Sequence, residues 1–367
     1  MNAKPVIAGA TALVALSGIF GAVVPNHASA ATVAYISNAD SRDIYVMALD
    51  AQSGGLTLID KTPTTGTVMP LAISPDRHHL YASLRSEPFS VSSFTIDPAT
   101  GKLGLLSTVP LPDNMANIAT DRTGRFLFSA SYTGHKIAVN PIGPQGAVLA
   151  EPVDVIATRK NAHSTQADPS NRYVFATNLG GDIVLQYRFD PASGKLTPND
   201  PPFVETKQGA GPRHIAFHPT NRFVYGTNEL DGTVNTYRFD ADKGTLTLIG
   251  TVSAVPPDFK GAAPAASDLH ITADGRFLYA AERTSNTLAA YRIDAATGTL
   301  TPAGNFATET QPRGFNLDPR GKFLVAVGQK SDSATVYAID GETGGLKALQ
   351  RYPVGKNPNW VEIIDLP

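Results

Sequence analysis

The sequence predicts an all-β chain folded as a seven-bladed propeller of four-stranded antiparallel blades. Three observations carry this. One strand–turn–strand phrase recurs along residues 31–367, its spacing divides the chain into seven, and the phrase is split between the two ends. Composition agrees. With 32 Gly and 28 Pro against 17% charged residues, short strands joined by turns are favoured over long helices, and 42% hydrophobic residues supply a full core.

The phrase is an apolar strand, a turn with Asp or Pro, a basic or Asn/Gly residue, and a second apolar strand. Its turns begin at Ser74-Pro75-Asp76, Thr120-Asp121, Asp168-Pro169, His218-Pro219, Ala273-Asp274 and Asp318-Pro319. The second strands start near residues 34, 80, 126, 173, 223, 277 and 323, a mean spacing of about 48, which is seven units in the residues after 30. A third strand follows each copy, as in 184–189, 234–239 and 288–293, then a Gly-bearing turn such as Asp294–Gly298 and a weaker fourth strand. Four strands and a restart is the sequence form of a propeller blade.

The first second strand has no first strand before it, and residues 359–364 form a first strand with no second after it. The C-terminal strand is therefore expected to complete the N-terminal blade and close the ring, removing its open edge. The single Trp, Trp360, argues against WD40-type blades. The longest irregular stretch, residues 255–266, holds three prolines and Gly261 and is a candidate rim loop or lid.

Residues 1–30 read separately, as a secretory leader. Lys4 gives a positive start, residues 6–24 are almost wholly apolar, and Ala28-Ser29-Ala30 is a small-x-small cleavage site. Cleavage after Ala30 would leave a propeller domain of 31–367 in the periplasm or outside the cell; the competing reading is an uncut N-terminal anchor. No other stretch has the length and apolarity of a span, so no membrane association is expected after cleavage. Zero Cys excludes thiol nucleophiles, cysteine metal sites and disulfides. A net charge of -2 gives no footprint for nucleic acid or an anionic membrane.

Strand order sorts the loops onto two faces. The one-to-two turns, rich in Asp, Gly and solvated Arg or Lys, are ordinary turn chemistry. His78-His79 falls there and lacks further ligands, so it is not a metal site. The opposite face collects Arg85, His163, Arg213-His214, Glu229, Asp268, His270, Arg283, Arg313, Gln329-Lys330 and Asn359. Convergent cationic and acid/base groups around a channel mouth describe a site for a small anionic or oxygen-rich ligand. The hairpin running from Gly209-Ala210-Gly211-Pro212-Arg213-His214 to Asn228-Glu229-Leu230 should bring Arg213 and Glu229 together, for chemistry or as a salt bridge joining two strands.

No G-x-S-x-G elbow, H-E-x-x-H, P-loop or G-x-G-x-x-G occurs, so neither a metal nor a cofactor is expected. Four runs together resemble the bacterial seven-bladed 6-phosphogluconolactonase family, which also includes fungal muconate-lactonizing enzymes. They are 209–214 with 218–219 and 228–230, then 269–276, 308–316 and 328–331. The resemblance covers essentially the whole chain after the leader and implies metal-independent opening of a sugar lactone. It places the family's His, Arg, Glu and Arg on His163, Arg213, Glu229 and Arg283. Arg85, His214, Asp268, His270, Arg313, Gln329, Lys330 and Asn359 are then candidates for substrate binding. The bacterial relatives are cytoplasmic, so the leader is a departure that bears on whether the lactone is phosphorylated.

Lactone hydrolysis needs a base for water, assigned to Glu229 or His163, and cations for the oxyanion, assigned to Arg213 and Arg283. Two other readings stand beside it: a muconate-type cycloisomerase using the same arginines, and a non-catalytic exported propeller binding a ligand or protein. The partner expected is a small sugar lactone, on a monomer or weak homodimer.

Overall fold

Alternating apolar residues bounded by Asp, Pro and Gly turns form strands throughout the computed structural model, which describes residues 1–5, 9 and 31–367. The leader lies almost entirely outside the described residues. The first blade is β1 (Thr32–Asn38), β2 (Asp43–Leu49) and β3 (Leu56–Pro63), with β28 (Pro358–Asp365) on its inner edge. The second is β4 (Val68–Ile73), β5 (His79–Leu84), β6 (Ser90–Ile96) and β7 (Leu103–Pro110). The third is β8 (Met115–Thr120), β9 (Phe126–Ser131), β10 (Lys136–Pro141) and β11 (Asp154–Ala157). The fourth is β12 (Ala162–Ala167), β13 (Tyr173–Asn178), β14 (Ile183–Phe189) and β15 (Leu196–Glu205). The fifth is β16 (Pro212–Phe217), β17 (Phe223–Asn228), β18 (Thr233–Asp240) and β19 (Thr245–Ser253). The sixth is β20 (Ala266–Ile271), β21 (Phe277–Glu282), β22 (Thr287–Ile293) and β23 (Leu300–Ala307). The seventh is β24 (Pro312–Leu317), β25 (Phe323–Gly328), β26 (Ser333–Ile339) and β27 (Leu346–Pro353).

All pairings are antiparallel, and the predicted closure is present: β1 pairs with β28 from Thr32 opposite Asp365 to Asn38 opposite Pro358. The inner strands touch in one cycle, β4, β8, β12, β16, β20, β24, β28 and back to β4, which encloses a central channel. The second strands are buried almost throughout, whereas outer strands such as β7 and β27 face solvent along most of their length. The apolar core therefore lies between blades. One cluster joins Tyr35 and Val46 to Leu80 and Phe94, and another joins Val325 and Val336 to Ile36 and Met47.

The same device ties one blade to the next. A second-strand tyrosine donates its buried hydroxyl to the carbonyl of the turn glycine between the third and fourth strands next door: Tyr35 to Gly101, Tyr225 to Gly298 and Tyr279 to Gly344, each 2.9 Å. Those glycines have φ of about 75°, a conformation that costs other residues energy. The Asp turns between first and second strands, on the same face as these glycines, prove structural, since Asp168 and Asp318 spend their carboxylates on backbone N–H groups of Tyr173 and Phe323. No helix of the described residues is long and apolar enough to cross a membrane.

Candidate active site

A β-bulge lets one strand aim two consecutive side chains differently from the strict alternation of a flat ladder. All seven inner strands carry such a register shift near their start. It falls between Ala162 and Ser164, Pro212 and Ile215, Ala266 and Leu269, and Pro312 and Gly314 in the four blades that supply the chemistry. The residues inside these shifts include His163, Arg213, His214, Asp268 and Arg313. The bulges gather them at one end of the channel.

Arg213 is wholly buried, and its Nε donates to Glu229 Oε2 at 2.9 Å. The pair arises as the hairpin predicts, because Pro212 pairs with Asn228 and Glu229 follows directly. Arg283, just beyond β21 in the next blade, holds the other oxygen: its Nη2 lies 3.0 Å from Glu229 Oε1. Arg283 Nε also donates to the Ala265 carbonyl at 2.9 Å. The proline-containing stretch before β20 is thus a rim segment that fixes Arg283.

Burial alone would raise the Glu229 carboxyl, but Arg213 and Arg283 outweigh it and hold it below its ordinary range, so it is ionised. Burial lowers Arg213 to about 10 against the pull of Glu229. Arg313 is pushed down by burial and then by Arg213, Arg283 and Arg85, which makes these four guanidinium groups one cationic cluster. Arg213 Nη2 and Arg313 Nε have no hydrogen-bond partner among the described residues.

His163 stands beside this cluster with its Nδ1 also unpartnered. Its ring is held edge-on between Tyr132 and His214, at centroid distances of 6.0 and 5.1 Å. Burial and then the positive charge of Arg213 keep it well below the ordinary histidine range, so it is neutral. Arg85 approaches from the second blade, its Nε 2.5 Å from Asn114 Oδ1. Gln329 is turned to Asn357 Oδ1 at 2.9 Å, and the Asn359 amide lies against backbone carbonyls of Ser37, Val68 and Asn357. Lys330 engages through its backbone, donating to Thr310 O at 3.2 Å.

A feature that sequence reasoning missed lies deeper. The His214 ring meets Trp360 at 5.6 Å as well as His163, and because β28 and β16 lie across the ring from each other this file of rings spans the channel. On its turn-face side is a cavity of about 380 Å³, whose wall includes His214, Asp268, His270, Trp360 and Glu362. Burial pushes Glu362 up to about 7, although Trp360 Nε1 donates to its Oε1 at 2.8 Å. A carboxylate set between Val361 and Ile363 in the last strand was the available signal.

The chain matches the family model described as lactonase, 7-bladed beta-propeller, over residues 30–363. A 6-phosphogluconolactonase of Serratia proteamaculans is 42% identical over 332 residues, 90% of this chain and 98% of the relative. One of Pectobacterium carotovorum is 43% identical over 91% of this chain and 99% of its own. Among solved structures, the periplasmic gluconolactonase of Pseudomonas aeruginosa superposes with a TM-score of 0.86 at 29% identity, covering 92% of this chain and all, 100%, of that one.

Proposed function

The chain belongs to the seven-bladed β-propeller lactonase family, and on that premise we propose that it hydrolyses a sugar δ-lactone to the open-chain acid with protein groups alone. The reading rests above all on one observation: Glu229 clamps Arg213 and Arg283 side by side, with a neutral His163 next to them.

In this scheme His163, not Glu229, is the base. Both oxygens of Glu229 are engaged by arginines, whereas His163 Nδ1 has no partner. Water oxygen adds to the lactone carbonyl carbon while its proton passes to His163. The carbonyl oxygen becomes an oxyanion, met by the open Nη2 donor of Arg213 and by Arg283. Collapse breaks the ring carbon–oxygen bond, and the imidazolium returns its proton to the leaving alkoxide. The new carboxylic acid then ionises, releasing one proton to solvent. The depressed histidine suits the second half of the cycle, because an imidazolium crowded by cations is a strong acid. Removing such an acid/base costs about 10²–10⁴-fold, and removing an oxyanion donor about 10²–10³-fold.

Arg85 and Arg313 supply further guanidinium groups for an anionic or hydroxyl-rich part of the substrate, with Gln329 and Lys330 at the rim and the buried Asn359 holding the start of β28 beneath them. The leader read from residues 1–30 supports export, and an exported enzyme meets free aldonolactones more than sugar phosphates. The reading therefore takes a non-phosphorylated lactone as substrate. Acid release by the chain from residue 31 onward, followed by pH-stat on glucono-1,5-lactone and on its 6-phosphate, tests it. Acceleration on the free lactone is expected. Activity on the phosphate ester alone overturns the choice of substrate, and acceleration on neither overturns the lactonase reading.

A further inference from the structure

Arginine nitrogens only donate hydrogen bonds, and carboxylate oxygens only accept them. Those two facts settle the protonation of the histidine between them. Arg213 Nη1 lies 3.3 Å from His214 Nε2, so Nε2 carries the lone pair. His214 Nδ1 lies 2.9 Å from Asp268 Oδ1, so Nδ1 carries the proton. His214 is thus a neutral imidazole in one tautomer, chosen by its partner on the far side. Asp268 is fixed in turn, accepting from the Leu269 backbone N–H at 3.0 Å on Oδ1 and from His270 Nε2 at 3.3 Å on Oδ2. His214 and Asp268 are buried, and His270 faces the channel cavity.

We infer that His214, Asp268 and His270 form a positioning chain that orients the Arg213 guanidinium, and that they do not themselves contact substrate. The inference rests on the lactonase reading for its kinetic consequence, but its geometry stands apart from it. Glu229 takes Arg213 Nε and His214 takes Nη1, which leaves Nη2 as the guanidinium nitrogen with no hydrogen-bond partner among the described residues. If His214 carried its proton on Nε2 instead, two donors would face each other and Arg213 would rotate away. Asp268 prevents this, and charge agrees with it. Burial followed by Arg213 brings His214 down to about 4, and the His270 and His214 rings overcome burial to hold Asp268 ionised.

The groups facing His214 from packed elements are Arg213 on its own strand, Asp268 and His270 on β20, His163 on β12, and Arg313 on β24, with Trp360 of β28 closing the last side. Of these, Asp268 is the one whose acceptor lies within hydrogen-bond distance of Nδ1. The chain therefore has a single point of failure.

The test uses two variants and one spectrum. Asp268→Ala removes the acceptor, whereas Asp268→Asn keeps an oxygen for Nδ1–H and can pair its NH₂ with a neutral His270. Mispositioning a catalytic group by about 1 Å costs on the order of 10²-fold in rate. Asp268→Ala should lose about that much kcat on the lactone with little change in KM, and Asp268→Asn should recover most of it. Imidazole ¹⁵N shifts of the wild-type chain, which need no substrate, should show His214 protonated on Nδ1 alone at pH 7, and Asp268→Ala should lose that signature. A wild-type His214 protonated on Nε2 overturns the inference even if the enzyme proves not to be a lactonase. So does a folded Asp268→Ala variant with wild-type kcat, or an Asp268→Asn variant as impaired as Asp268→Ala.

Discussion

Arg283 reaches across a blade boundary to Glu229, its Nη2 3.0 Å from the carboxylate oxygen that Arg213 leaves open. One carboxylate thus sets the distance between two guanidinium groups carried by different blades. Glu229→Gln preserves shape but points an amide N–H at one of the arginines and leaves the cationic cluster without its counter-charge. We expect kcat to fall by about 10²-fold or more. Glu229→Ala, which leaves the buried Arg213 unpaired, should also cost about 3–5 kcal/mol in urea unfolding. Lactone turnover at a wild-type rate in folded Glu229→Gln would show that the pair only joins two strands.

The proton traffic assigned to His163 has its own signature. A general base works in its neutral form, and the folded group lies well below the ordinary 6.5 because burial and Arg213 oppose its charge. The kcat/KM profile should therefore run flat through pH 6.5 and fall only at markedly lower pH. His163→Gln should remove that acidic limb along with about 10²–10⁴-fold of the rate. A half-fall centred near pH 6.5 would point to an exposed histidine elsewhere.

The blades were legible because each repeats a local rule: a buried second strand preceded by an Asp or Pro turn. Arg213 and Glu229 were legible for the same reason, since one hairpin brings residues 16 apart together. The other site members come from different blades, and only ring closure makes them neighbours. His163 and Trp360 both pack against one His214 ring from different blades, a relation no local spacing encodes. The bulges also escaped, because an extra residue in a ladder leaves no compositional mark. Without them Arg213 and His214 would point to opposite faces of β16 and could not meet at 3.3 Å.

Glu362 offers a test of the channel by stability. Its carboxyl rises from 4.5 to about 7 through burial, with His270 and Asp268 as its charged neighbours. A raised acid makes the folded state hold its proton more tightly. This contribution is complete below pH 4.5 and is lost as pH climbs through about 7. Glu362 is only partly buried, on the wall of the channel cavity, so the loss should stay below the about 3 kcal/mol that such a shift represents in a sealed site. Glu362→Gln keeps an acceptor for Trp360 Nε1 and has no charge to bury. In thermal melts at pH 5 and pH 9 its Tm relative to wild type should rise with pH. A constant difference would remove Glu362 from the titrating groups.

Ring closure is the relation on which the whole site depends, since β28 carries Trp360 and Glu362 and seals the first blade to the seventh. Its seam is backbone pairing with β1, helped by Thr32 Oγ1 donating to Asp365 Oδ1 at 2.6 Å and Arg320 Nη2 lying 2.8 Å from the same oxygen. Ending the chain before Pro358 strips the inner edge from β1 and exposes the faces of Ile36 and Tyr35, which pack against Val361 and Ile364. An open, apolar strand edge pairs with other chains. The truncated protein should lose its cooperative unfolding transition and aggregate, and adding residues 358–367 as a separate peptide should restore part of the transition. Asp365→Ala, which leaves the backbone pairing intact, should cost only about 1 kcal/mol. A truncated chain that melts cooperatively at the wild-type Tm would mean the first blade is held by its neighbours alone.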